Sequence, residues 1–600
     1  MADSKPPSRR QAQRLWLASA GLVACQAPPV LAQQIPVITS PGLQQQLEIQ
    51  QQQQQRAPDV QRGEPKPLIQ QEEPSATPSD ADATLLIRQV QVEGARALPA
   101  SQIEAVFAPL LSTATQPRPV RFAELQNALD AATNLYRSRG LFLSRVALPQ
   151  GAYQNGVLRV VAIEGFLEAV EVTGKGRPGL QRWARFYLQP LLSTAAQPQP
   201  IRFAALERQL LLLQGFGGVR FNATLTKGRS FGGSTLVIAL NPRVLSGSVS
   251  IDNNVQPLLG DYQVSAQLQA NVLAAPQPLQ INLFGGNAFP YPGGLVSGAA
   301  SFATPLGNRG LRLVGLGSYA STSSTTTPIT GVGGAPVALS TGGQSWLGNL
   351  ALRYPLLLSR RGSLGLSLAG ELQDSSNNSY LNGLLALSNP SRLRVVRLGV
   401  DGSLSTPFYA SSAFLQISQG LPMADAYDGA TLAQSGGSLP AGSVDYTSAR
   451  LTLRHQQRLG SGNTLVTATA SGQVTSSVLP APEDFSYGGP FLGRAFRGPY
   501  LVGDQGAAAG LELSQGFGNG AWSLSPFVFG DVGVAANNGR IPAPANYQAA
   551  SYGLGLRGSW GSSSSSFELG WAIPSGGFPQ STDRSGPANS IVYFRASLTF

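Results

Sequence analysis

The chain has 600 residues, only 12% of them charged, and a formal net charge of +11. A soluble protein of this size carries about twice that share of charge, yet no run of 18 apolar residues occurs, which excludes a helical membrane protein. A membrane β-barrel, whose polarity is hidden by alternation, remains; with no basic helix or basic–aromatic cluster, the positive charge does not point to nucleic acid.

Taken in chain order, Arg9, Arg10 and Arg14 precede an apolar stretch over residues 15–25, and Val30-Leu31-Ala32 precedes Gln33. This pattern predicts a secretory signal over residues 1–32, cleaved after Ala32. Leu22-Val23-Ala24-Cys25 also resembles a lipoprotein box in which Cys25 would carry lipid, so two processing routes compete. Cys25 is the only cysteine. Cleavage at Ala32 would remove it, and disulfide or thiolate chemistry with it. Residues 33–82 are rich in Gln and Pro and read as a linker. Within them, residues 43–56 lack Gly and Pro and are compatible with a polar helix, marginal on its own.

Residues 83–242 contain a tandem repeat. Pro109-Leu110-Leu111-Ser112-Thr113-Ala114 recurs as Pro190-Leu191-Leu192-Ser193-Thr194-Ala195, and Pro119-Val120-Arg121-Phe122-Ala123 recurs as Pro200-Ile201-Arg202-Phe203-Ala204. One small α/β unit therefore occurs twice, over residues 83–165 and 166–242. In the first copy, alternation predicts a strand over 85–92. Pro99-Ala100-Ser101 starts a helix through Leu111. Phe122, Leu125, Leu129, Ala132 and Leu135 keep helical spacing up to Gly140. Strands follow at 143–148 and 157–163, around a Gly151/Asn155-Gly156 turn. The order is β-α-α-β-β. The second copy repeats it, with strands at 169–172, 219–225 and 236–240 and helices near 180–192 and 203–213.

From residue 243 helical spacing stops, and short alternating runs are separated by Ser/Thr/Gly/Asn/Pro stretches. The 358 residues from 243 to 600 give about 16 spanning strands with their turns. Their 18 arginines against 15 acids are spread singly, as expected of a polar lumen. The last strand places Val592, Phe594, Ala596, Leu598 and Phe600 on one face and Tyr593, Arg595, Ser597 and Thr599 on the other. Such a strand suits the closure of an outer-membrane barrel against the first strand near 248–253, with Phe600 as an assembly signal. The predicted fold class is thus a transmembrane antiparallel β-barrel of about 16 strands, preceded by two small α+β modules.

Three stretches carry a family resemblance. The first is Gly218-Val219-Arg220-Phe221-Asn222-Ala223-Thr224-Leu225 with Gly228, where Gly217 stands in place of the usual proline. The second is Ser250-Ile251-Asp252-Asn253-Asn254, similar to a first-strand Asp-Asn signature. The third is Phe485-Ser486-Tyr487-Gly488-Gly489, followed by Gly493-Arg494-Ala495-Phe496-Arg497 and Gly503-Asp504-Gln505-Gly506. With the tandem modules, they resemble the outer-membrane transporters of two-partner secretion (TpsB type, similar to the ShlB/FhaC/HecB group) of the Omp85 superfamily, and the modules resemble POTRA domains. The resemblance implies a long loop folded back into the barrel. Its Val-Arg-Gly-Tyr/Phe tip is matched here at Arg494 and Phe496, with Gly493 and Ala495 as departures; Arg497 is the alternative arginine. Gly488, Gly489, Gly503 and Asp504 would scaffold that loop. The resemblance also implies that Arg494 pairs with Asp531 of Phe529-Gly530-Asp531-Val532-Gly533, a planar fork meeting a carboxylate.

It implies export of an unfolded partner exoprotein from periplasm to cell surface. The modules, in the periplasm, would hold the partner in extended form at a sheet edge. The barrel would sit in outer-membrane lipid, placed there by the barrel assembly machinery. An Omp85-type assembly factor and a passive porin with adhesive modules are the alternatives. No Ser-His-Asp set, metal-ligand cluster or phosphate loop can be assembled, so neither an enzyme nor a cofactor is expected. His455, the only histidine, reads as a polar lumen or loop residue, and Glu483 and Asp484 as solvent-facing acids.

Overall fold

The structure, a computed structural model, describes residues 69–71 and 84–600 apart from 114–115, 176–177, 217, 257–258, 273–278, 290–293, 325–326, 331–335, 433–437, 440–441, 461, 519–520, 540–545, 561–564 and 576–589. The signal segment with Ala32 and Cys25, the helix over 43–56, most of the linker, and Gly217 lie outside the described residues.

In the first module, helix Phe122–Ser138 buries Leu125, Leu129, Ala132 and Tyr136 at spacings of four, three and four, one face of a 3.6-residue helix. Gly140, at φ +80°, ends it in the left-handed region that glycine tolerates. Strand Gln89–Glu93 runs parallel to Val157–Ile163, which pairs antiparallel with Arg145–Ala147. The single strand expected over 85–92 is broken in two. Thr84–Leu86 pairs instead with Pro119–Arg121, because Arg88 and Gln89 both turn their N–H groups onto Gly156 O (2.7 and 3.2 Å). The first helix also ends early. Ala100–Phe107 is α-helical and Ala108–Leu110 tightens to a 3-10 turn around Pro109, which has no N–H to donate. Asn155 and Gly156, both at positive φ, form the tight turn read from the sequence. The Glu164 carboxylate accepts from Arg96 N, Ala97 N and the Tyr136 hydroxyl, whose pKa is pushed up by burial and by Glu164 itself.

The second module repeats this plan. Strands Phe166–Gly174, Gly233–Leu240 and Phe221–Lys227 form its sheet, and helices Pro178–Leu188 and Phe203–Gln214 cover one face. Trp183, Tyr187 and Phe216 interlock in the core with ring centroids 4.9–5.8 Å apart. Burial there pushes the Tyr187 hydroxyl up to about 12. A further short strand, Ile69–Gln71, lies along Phe221–Lys227.

Sixteen long strands, from Leu245–Asp252 to Ile591–Thr599, pair antiparallel into a closed barrel. The first and last strands meet from Ser248↔Thr599 to Asp252↔Arg595. Alternation sorts the faces: on Trp522–Ala536, Val528, Val532 and Val534 are exposed while Phe527, Phe529, Asp531 and Ala535 are buried toward the lumen. His455 does not lie in the lumen. It shares the outward face of Thr447–Leu459 with Leu451 and Leu453, where its Nδ1 meets Ser411 Oγ at 2.8 Å.

The second module seats on the hairpin ends at one rim of the barrel. Glu207 pairs with Arg360 (2.9 Å), and Arg208 donates to Pro355 O (2.6 Å). Gln209 donates to Asn308 O (2.7 Å). Arg312 donates to Gly215 O (2.9 Å), its guanidinium 4.3 Å from the Phe216 ring centroid.

Candidate functional site

Residues 476–504 leave the wall and fold into the barrel. Inside them a two-stranded hairpin, Phe485–Tyr487 with Leu501–Gly503, carries the tip. The tip turns on glycines: Gly488, Gly489, Gly493 and Gly498 all have positive φ. At Gly488 a Cβ would collide with the carbonyl oxygen of Gly498, so the crossing of the two arms requires glycine there.

The wall is cut to fit this hairpin. Period two puts Phe529, Asp531 and Gly533 on the lumen face of one strand. A Cβ on Gly533 would lie 2.5 Å from the Tyr487 ring. Gly506 and Gly510, on the neighbouring strand Gln505–Gln515, make the same room for Phe485 and for the Asp531 carboxylate. Phe496 is buried against Tyr487 and stacks on Tyr500 at 4.1 Å between centroids. Phe485, Tyr487, Ala495 and Phe496 of the loop thus form one apolar cluster with Phe527, Phe529 and Tyr593 of the wall.

Arg494 is the arginine of the tip that forms an ion pair; Arg497 has no hydrogen bond or ion pair among the described residues. The partner of Arg494, however, is Glu512 at 2.8 Å, and not Asp531. Glu512 also takes Arg557 (2.5 and 2.9 Å), which reaches on to Glu568 (2.9 Å). The result is an alternating Arg–Glu–Arg–Glu chain across four elements, with the Arg494 guanidinium 4.3 Å from the Phe529 centroid and Arg557 4.0 Å from that of Phe527. Asp531 holds the loop by its backbone instead. Its Oδ2 accepts the N–H of Gly493 (3.3 Å) and the hydroxyl of Ser551 (2.9 Å), and its main-chain oxygen accepts from Tyr487 Oη (3.3 Å). The expected fork between Arg494 and Asp531 fails for a geometric reason. Asp531 lies under the turn at Gly493, so it meets amide groups, while the side chain of Arg494 extends along the wall to the strand before.

The base of the loop is anchored separately. Glu483 and Asp484 are not solvent-facing; each is 4% exposed. Arg397 bridges Glu483 (2.7 Å) and Glu371 (2.6 Å), tying the loop to two strands on another part of the wall. Asp504, fully buried, accepts Leu479 N and Asn538 N, both at 2.6 Å, and closes the neck of the loop. Gly503, just before it, comes within 2.7 Å of Ala536 O at its would-be Cβ. The Asp-Asn signature of the first strand serves the barrel seam. Asn253 donates to Val592 O and accepts from Phe594 N, both at 2.9 Å, in the manner of a strand backbone, and Asp252 reaches Arg595 at 3.4 Å. Phe600 extends the seam through paired N–H···O bonds with Gly247 (2.9 and 3.0 Å).

Glu512, Arg557, Glu568, Arg397 and Glu371 were not singled out in the sequence. Alternation around Leu511 and Leu513 does put Glu512 on the lumen face, but only the register of neighbouring strands brings it to Arg494.

A family model described as haemolysin secretion/activation protein ShlB/FhaC/HecB matches residues 232–558, and one for the ShlB-type POTRA domain matches residues 85–165. No curated protein matches the chain. Among solved structures, CdiB from Escherichia coli is similar with a TM-score of 0.66 at 19% identity, over 93% of this chain and 98% of that one. CdiB from Acinetobacter baumannii gives 0.57 at 17% identity, over 93% and 97%. At such identities the likeness to both is one of fold. The family match spans more than half of the chain, and by it the chain belongs to the ShlB/FhaC/HecB family of haemolysin secretion/activation proteins, the outer-membrane transporters of two-partner secretion.

Proposed function

We propose that the chain passes its partner exoprotein in an unfolded state from periplasm to cell surface, and that the loop over residues 476–504 is the movable stopper of that route. The modules over 83–165 and 166–242 face the periplasm in this reading and take the partner as an extended segment at a sheet edge, where main-chain hydrogen bonds grip without demanding one sequence. The sequence carries no phosphate loop, so the drive is folding of the partner outside. Phe600, exposed on the last strand, serves insertion of the barrel.

The observation that carries the reading is the way the loop is held. A stopper must be firmly closed and yet displaceable. Here the tip rests on ion pairs and amide–carboxylate bonds to the wall, with no covalent tie, and glycines on both surfaces let the loop lie flat. Breaking one partner out of a buried pair costs about 3–5 kcal/mol, enough to hold the closed state and within reach of a binding event.

The test is secretion of the partner exoprotein in cells expressing both genes. Arg494→Ala is expected to weaken the closed state by about 3 kcal/mol or more, read as more frequent pore openings in planar bilayers, while the barrel still reaches the outer membrane. Unchanged export on deletion of this gene would overturn the transport reading. Unchanged pore opening in Arg494→Ala would overturn the stopper.

A further inference from the structure

The tandem repeat contains its own comparison. The first helix of each module buries the same side: Ile103 and Phe107 in the first module, Ala184 and Leu188 at the matching positions of the second. On the opposite side the copies part. Where the first module has Ser101, Glu104 and Ala105, the second has Arg182, Arg185 and Phe186. All three are exposed, and their spacing of i, i+3 and i+4 puts them on one helix face.

We infer that this face of Pro178–Leu188 rests on the periplasmic surface of the outer membrane and binds anionic phospholipid there. Arg182 and Arg185 take the phosphate groups, and Phe186 enters the boundary between headgroups and acyl chains. The inference takes from the reading above only that the barrel spans that membrane and that the modules face the periplasm.

Three observations carry it. The first is position. Asn308, in the turn between strands Gly294–Pro305 and Arg312–Ser323, donates from its side chain to Phe186 O at 3.2 Å. That turn caps strands whose outward faces meet lipid, and apolar exposure continues into the rim at Leu306 and, on the neighbouring hairpin, at Leu356 and Leu357. Phe186, itself 49% exposed, thus stands near the level where the hydrocarbon ends. The second is charge. Pro178–Leu188 contains no acid, and neither of its arginines has a hydrogen bond or ion pair among the described residues. Arg309 in the rim turn and Arg361 in the next are exposed as well, while Glu207, the acid of the module that reaches this rim, is paired with Arg360. Residues 166–242 as a whole hold nine cations against three acids, a balance that suits a leaflet of phosphate groups. The third is the mixture on the face. An exposed aromatic ring beside two arginines, whose long stems cover apolar surface while their heads stay wet, is the pattern of a helix lying in a membrane interface. An acidic polypeptide would use the two charges and leave Phe186 in water.

The first module, one unit further along the chain from the barrel, supplies the control for a direct test. The full-length transporter is placed in nanodiscs containing a phosphatidylglycerol analogue with a photoactivatable headgroup, and cross-links are mapped by mass spectrometry. Labelling is expected in residues 178–189 and in the rim turn over 306–311, and not in the first module's helix Ala100–Phe107. A phosphatidylcholine analogue carrying the same group should label residues 178–189 several-fold less, and salt at 0.5 M should narrow the difference. The double variant Arg182→Gln/Arg185→Gln should lower labelling of residues 178–189 about fivefold or more and leave the rim turn unchanged. Equal labelling of the two helices, equal labelling by the two lipids, or no effect of the double variant would each overturn the inference. So would a rim turn that is labelled while residues 178–189 are not, as expected of a face that takes an acidic segment of the partner instead. No labelling at either place would overturn the inference together with the membrane reading beneath it.

Discussion

Glu512 decides how the tip of the loop is held. It stands between Arg494 and Arg557, and no second carboxylate forms an ion pair with Arg494 among the described residues. Neutralising it leaves two guanidinium groups facing each other in a half-dry wall, a loss of about 3 kcal/mol or more. Asp531 is different, because its bonds are to an amide N–H and a hydroxyl. An asparagine keeps an acceptor oxygen for both, at a cost of about 1 kcal/mol. Glu512→Gln should therefore release the loop more than Asp531→Asn. Single-channel recordings in planar bilayers check this: frequent large openings are expected from Glu512→Gln and near wild-type traces from Asp531→Asn. The reverse order would restore Asp531 as the principal partner of Arg494.

At the scale of the element, the fit between hairpin and wall rests on volume more than on charge. Gly533 and Gly530 lie on one strand and face opposite ways. A methyl group at Gly533 lands on the Tyr487 ring, while one at Gly530 meets nothing within 4 Å. Gly533→Ala should push the hairpin off the wall, with an overpacking cost of about 1–3 kcal/mol, and Gly530→Ala should be silent. Protease nicking of the loop in intact outer membranes separates them: faster cleavage for Gly533→Ala only. Equal cleavage of both variants would mean that Tyr487 does not set the position of the loop. Much of this element was legible in the sequence. Phe529, Asp531 and Gly533 are spaced by two, and a spacing of two fixes a common face whatever the rest of the chain does. The choice of Glu512 over Asp531 was not legible, because it depends on how far each strand is shifted against the next around a closed barrel. Burial of Glu483 was hidden for a related reason. An acidic pair before a loop looks solvated until Arg397, 86 residues earlier, is brought to it by the curvature of the wall.

For the molecule as a whole, the seat of the second module couples the two ends of the proposed route. The helix Phe203–Gln214 supplies Glu207, Arg208 and Gln209 in succession, and each meets a different hairpin residue of the barrel. Polar residues in the middle of an amphipathic helix read as a solvated face, so nothing in the sequence marked them as a contact. The helix also backs the sheet whose edge carries Ile69–Gln71, through Leu206, Leu210 and Leu213 packed on Ala223, Leu225 and Leu236. A tilt of the module on its seat would therefore carry the whole sheet with it. Glu207 and Arg360 are the one ion pair of the seat among the described residues, and both are partly reached by water, so their coupling should be about 1 kcal/mol. Glu207→Gln and Arg360→Gln should each broaden the distance distribution between spin labels on the module and on the barrel rim, and the double variant should add little to either. Additive broadening would show that the two residues act separately. A seat held by Arg208, Gln209 and Arg312 would then be the better account.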